Sequence, residues 1–180
     1  MKKRIIWGWV MVPALLLGCT KVPNGMQPVS GFQIERYMGQ WYEIVRLDHR
    51  FERNLSRVSA TYSLTSEGYI RVENRGYNTE TGQWKSVQGK ARFIGDETMG
   101  SIKVSFFGPF YGGYHIIDLD QKDYQYAMVV GPSRDYFWIL SRSPDLADDL
   151  LETLLAKAAG LGIDTTSIIR VDQGALAGEG

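Results

Sequence analysis

From Ser56 onward, apolar and polar residues alternate with a period of two in runs separated by short turns. Such alternation is typical of strands with one buried and one exposed face. The runs are "RVSATYSL", "YIRVENRGY", "QWKSVQGKARFI", "SIKVSFF", "YHIIDL", "YQYAMVV" and "DYFWILSR", and "WYEIVRL" precedes them. The pattern predicts eight consecutive strands joined by connections of hairpin length.

A meander of eight strands either leaves two unpaired edges or closes on itself, and closure removes the edges. A closed barrel of eight strands has room for about one small ligand. The predicted inner faces carry the small residues Ala60, Gly76, Gly89 and Ala91, which favour a cavity. We therefore predict an all-β fold, an eight-stranded antiparallel up-and-down barrel.

One amphipathic α-helix is predicted after the last strand, from leucines at helical spacing between positions 146 and 155. Ser143 is expected to cap its start, Pro144 to occupy the first helical position and Gly160 to end it. The polar face carries acids and only Lys157 as a base. Packing against the outside of the barrel is therefore favoured over membrane binding.

The N-terminus has a different pattern, in which "MKKR" is followed by the apolar run "IIWGWVMVPALLLG". This run has the length of a signal peptide and is short for a transmembrane span, so an uncleaved anchor is the weaker alternative. The run ends in "LLGC", which resembles the lipobox of bacterial lipoproteins. The resemblance implies cleavage before Cys19, acylation of this only cysteine and, from Thr20 behind it, sorting to the outer membrane. Ordinary signal cleavage is the alternative.

Three motifs resemble the signatures of the lipocalin family. "YMGQWYEI" resembles the Gly-x-Trp motif that opens the barrel, "LDQKDYQYAMV" matches the second signature in part, and "WILSR" resembles the third. The chain resembles most the bacterial outer-membrane lipoproteins of the Blc type and their relative apolipoprotein D. The resemblance implies structural roles for Gly39, Trp41 and Arg142, with the arginine covering the tryptophan at the closed end. An ordinary core position is the alternative for Trp41.

The chain of 180 residues is long enough for one core, and we predict a single folded domain. The predicted segments are a signal peptide (1–18), a lipidated cysteine with a flexible tether (19–31), the lipocalin domain (32–172) and a loose tail (173–180). The tether "TKVPNGMQPVSG" is rich in turn-forming residues.

The alternation also predicts which side chains line a ligand cavity. Asn74 is a polar member of an otherwise apolar stripe, and Glu43 is a second polar candidate; for both, a core polar group with satisfied hydrogen bonds is the alternative. The cavity candidates are Tyr62, Val72, Asn74, Val87, Ala91, Val104, Phe106, Tyr114, Ile116, Met128, Tyr136 and Trp138.

The direction of the first strand, outward from Trp41, places every second turn at the open end of the barrel. The mouth is then expected to carry Arg50 and Arg53, joined by Arg134, as cations. The mouth is also expected to carry Phe110 and Tyr111 of "GPFYGGY" as exposed rings. The predicted mouth residues are therefore Arg50, Arg53, Phe110 and Tyr111. Solvated arginines without a ligand are the alternative.

The composition argues against several functions. The formal net charge is zero, which gives no basis for nucleic-acid binding. His49 and His115 lie far apart in sequence without a metal-ligand pattern, and Cys19 is committed to lipid. We therefore expect no catalytic residue, no metal, no cofactor and no enzymatic activity.

Cations at the mouth of an apolar cavity suit an amphiphile with an anionic head group. The family resemblance implies fatty acids and lysophospholipids as ligands. We predict an outer-membrane-anchored lipocalin that binds and stores or transports such lipids for membrane maintenance. The alternatives are an interaction lipoprotein with a filled barrel and a binder of a pigment or haem-type ligand. Apolar rings on both faces of "DYFWIL" leave a homodimer open.

Overall fold

The structure is a computed structural model that describes residues 20–174. The predicted signal peptide, Cys19 and the end of the predicted tail lie outside the described residues. The elements in chain order are α1 (Ile34–Tyr37), β1 (Gly39–Arg46), β2 (Leu55–Leu64), β3 (Ile70–Asn78), β4 (Gln83–Phe93), β5 (Ser101–Phe107), β6 (Phe110–Leu119), β7 (Tyr126–Val130), β8 (Phe137–Ser141), α2 (Asp148–Gly160), a 3₁₀ turn (Thr165–Ser167) and β9 (Ile169–Arg170).

Strands β1 to β8 form a closed antiparallel barrel. Each strand pairs with the next, and β1 pairs with both β2 and β8, for example Gly39 with Tyr62 and Tyr42 with Ser141. The short strand β9 pairs with the end of β1. The predicted fold class is therefore confirmed, because the barrel leaves neither β1 nor β8 as a bare edge.

Helix α2 packs outside the barrel, as predicted. Its residues Leu151 and Leu154 are buried in a cluster with Met128, Phe137 and Ile139 of strands β7 and β8. Both faces of these strands are therefore apolar. The inner face lines the barrel, and the outer face packs against the helix.

The predicted start of this helix is wrong. Helix α2 begins at Asp148 and has Ala147 as its N-cap, without a side-chain cap. The hydroxyl of Ser143 instead accepts a hydrogen bond from the backbone N–H of Asp145 at 3.3 Å, which uses it in a local turn around Pro144.

The chain before α1 lies on the barrel. Met26 and Pro23 are buried, and the N–H of Val29 donates to the carbonyl of Ile116 at 2.8 Å while its carbonyl accepts from Gly100 at 2.8 Å. The part of the expected tether from Thr20 onward is thus docked along the wall. Within residues 20–174, no helix is long and apolar enough to cross a bilayer.

The two ends of the barrel differ. At one end, the segment around α1 contacts the loops that follow β4 and β6, since the N–H of Phe32 donates to the carbonyl of Thr98 and that of Gln33 to the hydroxyl of Tyr124. At the other end lie the connections 47–54, 79–82, 108–109 and 131–136. The first end is closed by chain, and the second is the mouth.

Candidate ligand-binding site

The inner wall of the barrel follows from the strand register, because directly paired residues point to the same face. Trp41 pairs with Ala60, Ala60 with Asn74, and Asn74 with Val87. Register and packing place the following predicted cavity residues on the inner wall: Tyr62, Val72, Asn74, Val87, Ala91, Val104, Phe106, Tyr114, Ile116 and Trp138.

The lower part of the interior is filled by side chains, and the upper part is open. Near the closed end, Trp41, Ala91 and Ile116 have no exposed surface. Towards the mouth, Phe106 and Trp138 are only half-buried and Val87 is 38% exposed. The inward-facing apolar side chains thus keep exposed surface towards the mouth, and we call this upper part of the interior the cup (Val87, Val104, Phe106, Tyr114 and Trp138).

The closed end is sealed by a tryptophan under an arginine. The guanidinium carbon of Arg142 lies 3.9 Å from the ring centroid of Trp41, and its nitrogens donate to the carbonyls of Gln40 and Arg36 at 2.8 and 2.7 Å. Gly39 has a φ of 93°, and a Cβ there would lie 3.4 Å from Nη1 of Arg142. This is the geometry that the family resemblance implies for the three residues.

Three tyrosine hydroxyls mark the floor of the cup. The hydroxyl of Tyr114 lies 2.7 Å from that of Tyr37 and 3.0 Å from that of Tyr62. Burial raises the pKa of all three phenols above the ordinary value, so the hydroxyls stay protonated. The floor is therefore polar but uncharged.

A cluster of charged side chains lies inside the barrel below the mouth. The pairing of β1 with β8 shifts between Glu43 and Val45, so Glu43 pairs with Leu140 and Arg46 with Trp138, both on the inner face. Nη1 of Arg46 donates to Oε1 of Glu43 at 2.8 Å, and both side chains are almost fully buried.

The loop after β1 completes this cluster. Nη2 of Arg46 donates to the carbonyls of Glu52 and Leu55 at 3.0 and 3.2 Å. The carboxylate of Glu52 accepts a hydrogen bond from Nε1 of Trp138 at 3.2 Å. One guanidinium and two carboxyl groups thus share a buried wall, which we call the inner charge cluster (Glu43, Arg46 and Glu52).

Burial dominates the protonation of this cluster. It raises the pKa of Glu43 to about 8, helped by the nearby carboxyl of Glu52 and opposed by Arg46. Burial also raises the pKa of Glu52, and it lowers the pKa of the neighbouring His49, as Arg46 does. At neutral pH the Glu43 carboxyl is therefore mostly protonated.

An open cleft of about 310 Å³ lies at the mouth between the β1–β2 and β7–β8 loops. The ring of His49 stacks on Tyr136 and Phe51 at centroid distances of 4.9 and 5.3 Å. Arg50 is exposed and lines the cleft. Tyr136, a predicted cavity residue, thus lies at the entrance.

Two of the expected mouth cations are occupied by other contacts. Nη2 of Arg53 lies 2.7 Å from Oδ2 of Asp48 in an exposed ion pair. Nη2 and Nε of Arg134 donate to the carbonyls of Asn24 and Leu161 at 2.6 and 2.9 Å. The expectation for Arg134 is wrong, because its side chain fastens the N-terminal segment and the end of α2 to the outer wall.

The rings at the mouth also differ from the prediction. Phe110 is 54% exposed and pairs with Phe107, which is 77% exposed and was missed. Tyr111 lies on the outer wall, where Nζ of Lys103 sits 5.3 Å from its ring centroid. Tyr111 therefore does not face the entrance, because the residue after Phe110 points to the opposite face of the strand.

Met128 was wrongly predicted to face the cavity. It is buried in the outer cluster under α2, together with Phe137 and Ile139. The apolar outer face of β8, on which the homodimer alternative depended, is covered by this helix.

The pattern missed Arg46, Glu52 and Phe107 as site residues. In a regular strand, Glu43 and Arg46 would point to opposite faces because they are three positions apart. The sequence signal that was present is the concentration of charge in "DHRFER", directly after an apolar strand.

Comparisons with known proteins agree with this architecture. The sequence profile of the family described as lipocalin-like domain matches residues 32–173. The chain is 46% identical over 164 residues to outer membrane lipoprotein Blc of Vibrio cholerae, covering 91% of this chain and 96% of that one. It is 49% identical over 161 residues to outer membrane lipoprotein Blc of Escherichia coli K12, covering 88% and 90%.

The fold likeness extends to solved structures. Insecticyanin from the tobacco hornworm Manduca sexta superposes with a TM-score of 0.66 at 21% identity, covering 87% of each chain. The predicted family resemblance is thereby confirmed, and the predicted outer-membrane location agrees with the names of both bacterial relatives.

Proposed function

The chain belongs to the lipocalin family, and from this premise we propose that its barrel binds one amphiphilic lipid, a fatty acid or a lysophospholipid. The protein would be held at the outer membrane by acyl chains on Cys19 and would store or carry lipid for membrane maintenance. The predicted absence of enzymatic activity is part of the same proposal.

The half-open apolar cup carries this proposal. Val104, Phe106, Tyr114 and Trp138 face inward, and none of them is fully buried. These side chains expose apolar surface on a concave wall. A hydrocarbon chain that covers such surface removes it from water, which lowers the free energy of the complex. The lipid tail would therefore occupy the cup above the tyrosine floor.

Polar groups near the mouth suit the head group. The Oδ1 atom of Asn74 is buried and has no hydrogen-bond partner among the described residues. Arg46 is the inward-facing cation of the inner charge cluster, and Arg50 lines the entrance. The head group would lie between these side chains, which refines the rim position predicted from the sequence.

A displacement assay tests the proposal. Lipid-free protein is loaded with a fluorescent fatty acid, and oleate or lysophosphatidylethanolamine is titrated against it. Val87→Trp narrows the cup and is expected to weaken binding, whereas Gln88→Trp, the exposed neighbour on the outer face, is the matched control and should leave binding unchanged.

Failure of the wild-type protein to bind either lipid would contradict the proposal and favour the interaction lipoprotein with a filled barrel. An absorbance band in protein purified from its native membrane would favour the pigment or haem-type alternative. A homodimer is a separate proposal, and sedimentation equilibrium of the detergent-solubilised protein decides it.

A further inference from the structure

The first described residues lie on the outer wall of β6, close to the mouth. A Cβ atom at Gly113 would come within 3.2 Å of the backbone of Thr20. The ring of His115, which is hydrogen-bonded to Ser101 at 2.8 Å, lies beside the backbone of Thr20 and Lys21. The structure thus fixes where the chain leaves the barrel on its way to Cys19.

This exit point lies near the exposed rings of the mouth. Phe110 is three residues before Gly113 on the same strand, a distance of about 10 Å. Cys19 is bonded directly to Thr20, one peptide unit of about 3.8 Å away. An acyl chain on Cys19 would therefore enter a bilayer beside the β5–β6 hairpin.

The hairpin itself is suited to contact with lipid. Phe107 and Phe110 are cross-strand partners at its tip, with 77% and 54% of their surfaces exposed. Adjacent large exposed rings of this kind mark interaction surfaces. They belong to the rim through which a ligand enters the cup.

The wall next to this tip carries amphipathic and cationic side chains. Lys103 pairs with Gly113 across the sheet and places its ammonium over the ring of Tyr111. Lys21 is exposed, two residues after Cys19. Tyrosine rings and lysines of this kind are typical of side chains at the surface of a bilayer with anionic lipids.

We propose that these residues form a docking face, composed of Lys21, Lys103, Phe107, Phe110 and Tyr111, that binds the phospholipid bilayer in which the acylated Cys19 is anchored. The two phenylalanine rings enter the lipid, and the mouth of the barrel then opens at the membrane surface. The docking face rests on the proposed lipid anchor, and it adds an orientation that the anchor alone does not provide.

Spin labelling of the acylated protein tests the docking face. Acylation consumes the thiol of the chain's one cysteine, so a nitroxide attached to F107C or F110C reports a single site. L64C is the matched control, because Leu64 is 51% exposed at the end of β2, at the opposite end of the barrel.

The protein is reconstituted in vesicles of phosphatidylethanolamine and phosphatidylglycerol, and collisions with oxygen and with a water-soluble nickel complex are compared. Labels at positions 107 and 110 should show the high oxygen-to-nickel ratio of the acyl region, and the label at position 64 the low ratio of water. A low ratio at all three positions would overturn the proposal.

A second variant separates the docking face from ligand binding. The double variant K21E/K103E changes two docking-face residues on the outer wall, outside the cup. It should keep its affinity for monomeric lysophospholipid in solution and take up the same lipid from these anionic vesicles about tenfold more slowly. Uptake at the wild-type rate would refute the docking face while leaving the proposed function intact. If the wild-type protein did not bind lysophospholipid in solution, the proposed function would be refuted. The depths of the spin labels would still show whether the docking face lies in the bilayer.

Discussion

Replacing Glu43 by glutamine should remove a pH dependence of stability that the inner charge cluster creates. The pKa of Glu43 is raised to about 8, chiefly by burial, whereas in the unfolded chain it titrates near its ordinary value of 4.5. Between these values the folded state holds a proton that the unfolded state has lost. The free energy of unfolding of the wild type therefore falls as the pH rises through this interval.

The expected magnitude follows from the size of the shift. One pKa unit corresponds to about 1.4 kcal/mol, so Glu43 alone accounts for on the order of 3 to 5 kcal/mol between low pH and pH 8. Glutamine is neutral throughout and can still accept the hydrogen bond from Arg46. The variant should match the wild type near the acidic end of the interval and exceed it in stability near the basic end.

Urea unfolding followed by circular dichroism across this pH interval measures the effect. Glu80→Gln is the control, because Glu80 is exposed in the loop between β3 and β4. A wild-type stability that stays level or increases with pH, or an unchanged slope in the Glu43 variant, would refute the reasoning. It would mean that attraction to Arg46 outweighs the cost of burying the carboxylate.

Three further variants test the closed end, the floor and the docked N-terminal segment. Gly39→Ala places a Cβ at a φ of 93° and 3.4 Å from Arg142, so it should lower the free energy of unfolding by more than about 1 kcal/mol in thermal melts; an unchanged melting temperature contradicts this. Tyr114→Phe removes the hydroxyl that links two buried phenols. It should lower the free energy of unfolding in urea by about 1–3 kcal/mol, and a neutral effect would mean that water replaces the hydroxyl. Gly100→Ala would bring a Cβ to 2.8 Å from Val29, and faster proteolysis near residue 30 with an intact barrel is the expected result.

The barrel was predictable because its strands alternate and its turns are short. In β3 and β4, for example, Val72 and Gly89 were assigned to the inner face by parity alone, and they are direct partners there. Prediction failed where parity carries no information. In "YQYAMVV" both faces are apolar, so the sequence could not assign Met128 to the outer cluster under α2.

In the inner charge cluster, Glu43 was a polar candidate from the sequence, whereas Arg46 and Glu52 escaped prediction for a different reason. One irregularity in β1 changes the parity between Glu43 and Arg46, so that both face inward while Ile44 and Val45 face the outer cluster. A bulge of this kind depends on how the strand pairs with β8, which is not written in the local alternation. The burial of Glu52 likewise depends on a loop that folds over the barrel.

The inner charge cluster also bears on what the cup holds. A barrel that enclosed only hydrocarbon would gain stability from apolar side chains in place of Arg46 and its two carboxyl partners, because a buried charge recovers little of its desolvation cost. The cluster lies below the mouth, whereas the tyrosine floor at the other end of the cup is uncharged. This polarity favours a ligand with one polar end, held near Arg46 and Asn74 with its tail pointing to Tyr114.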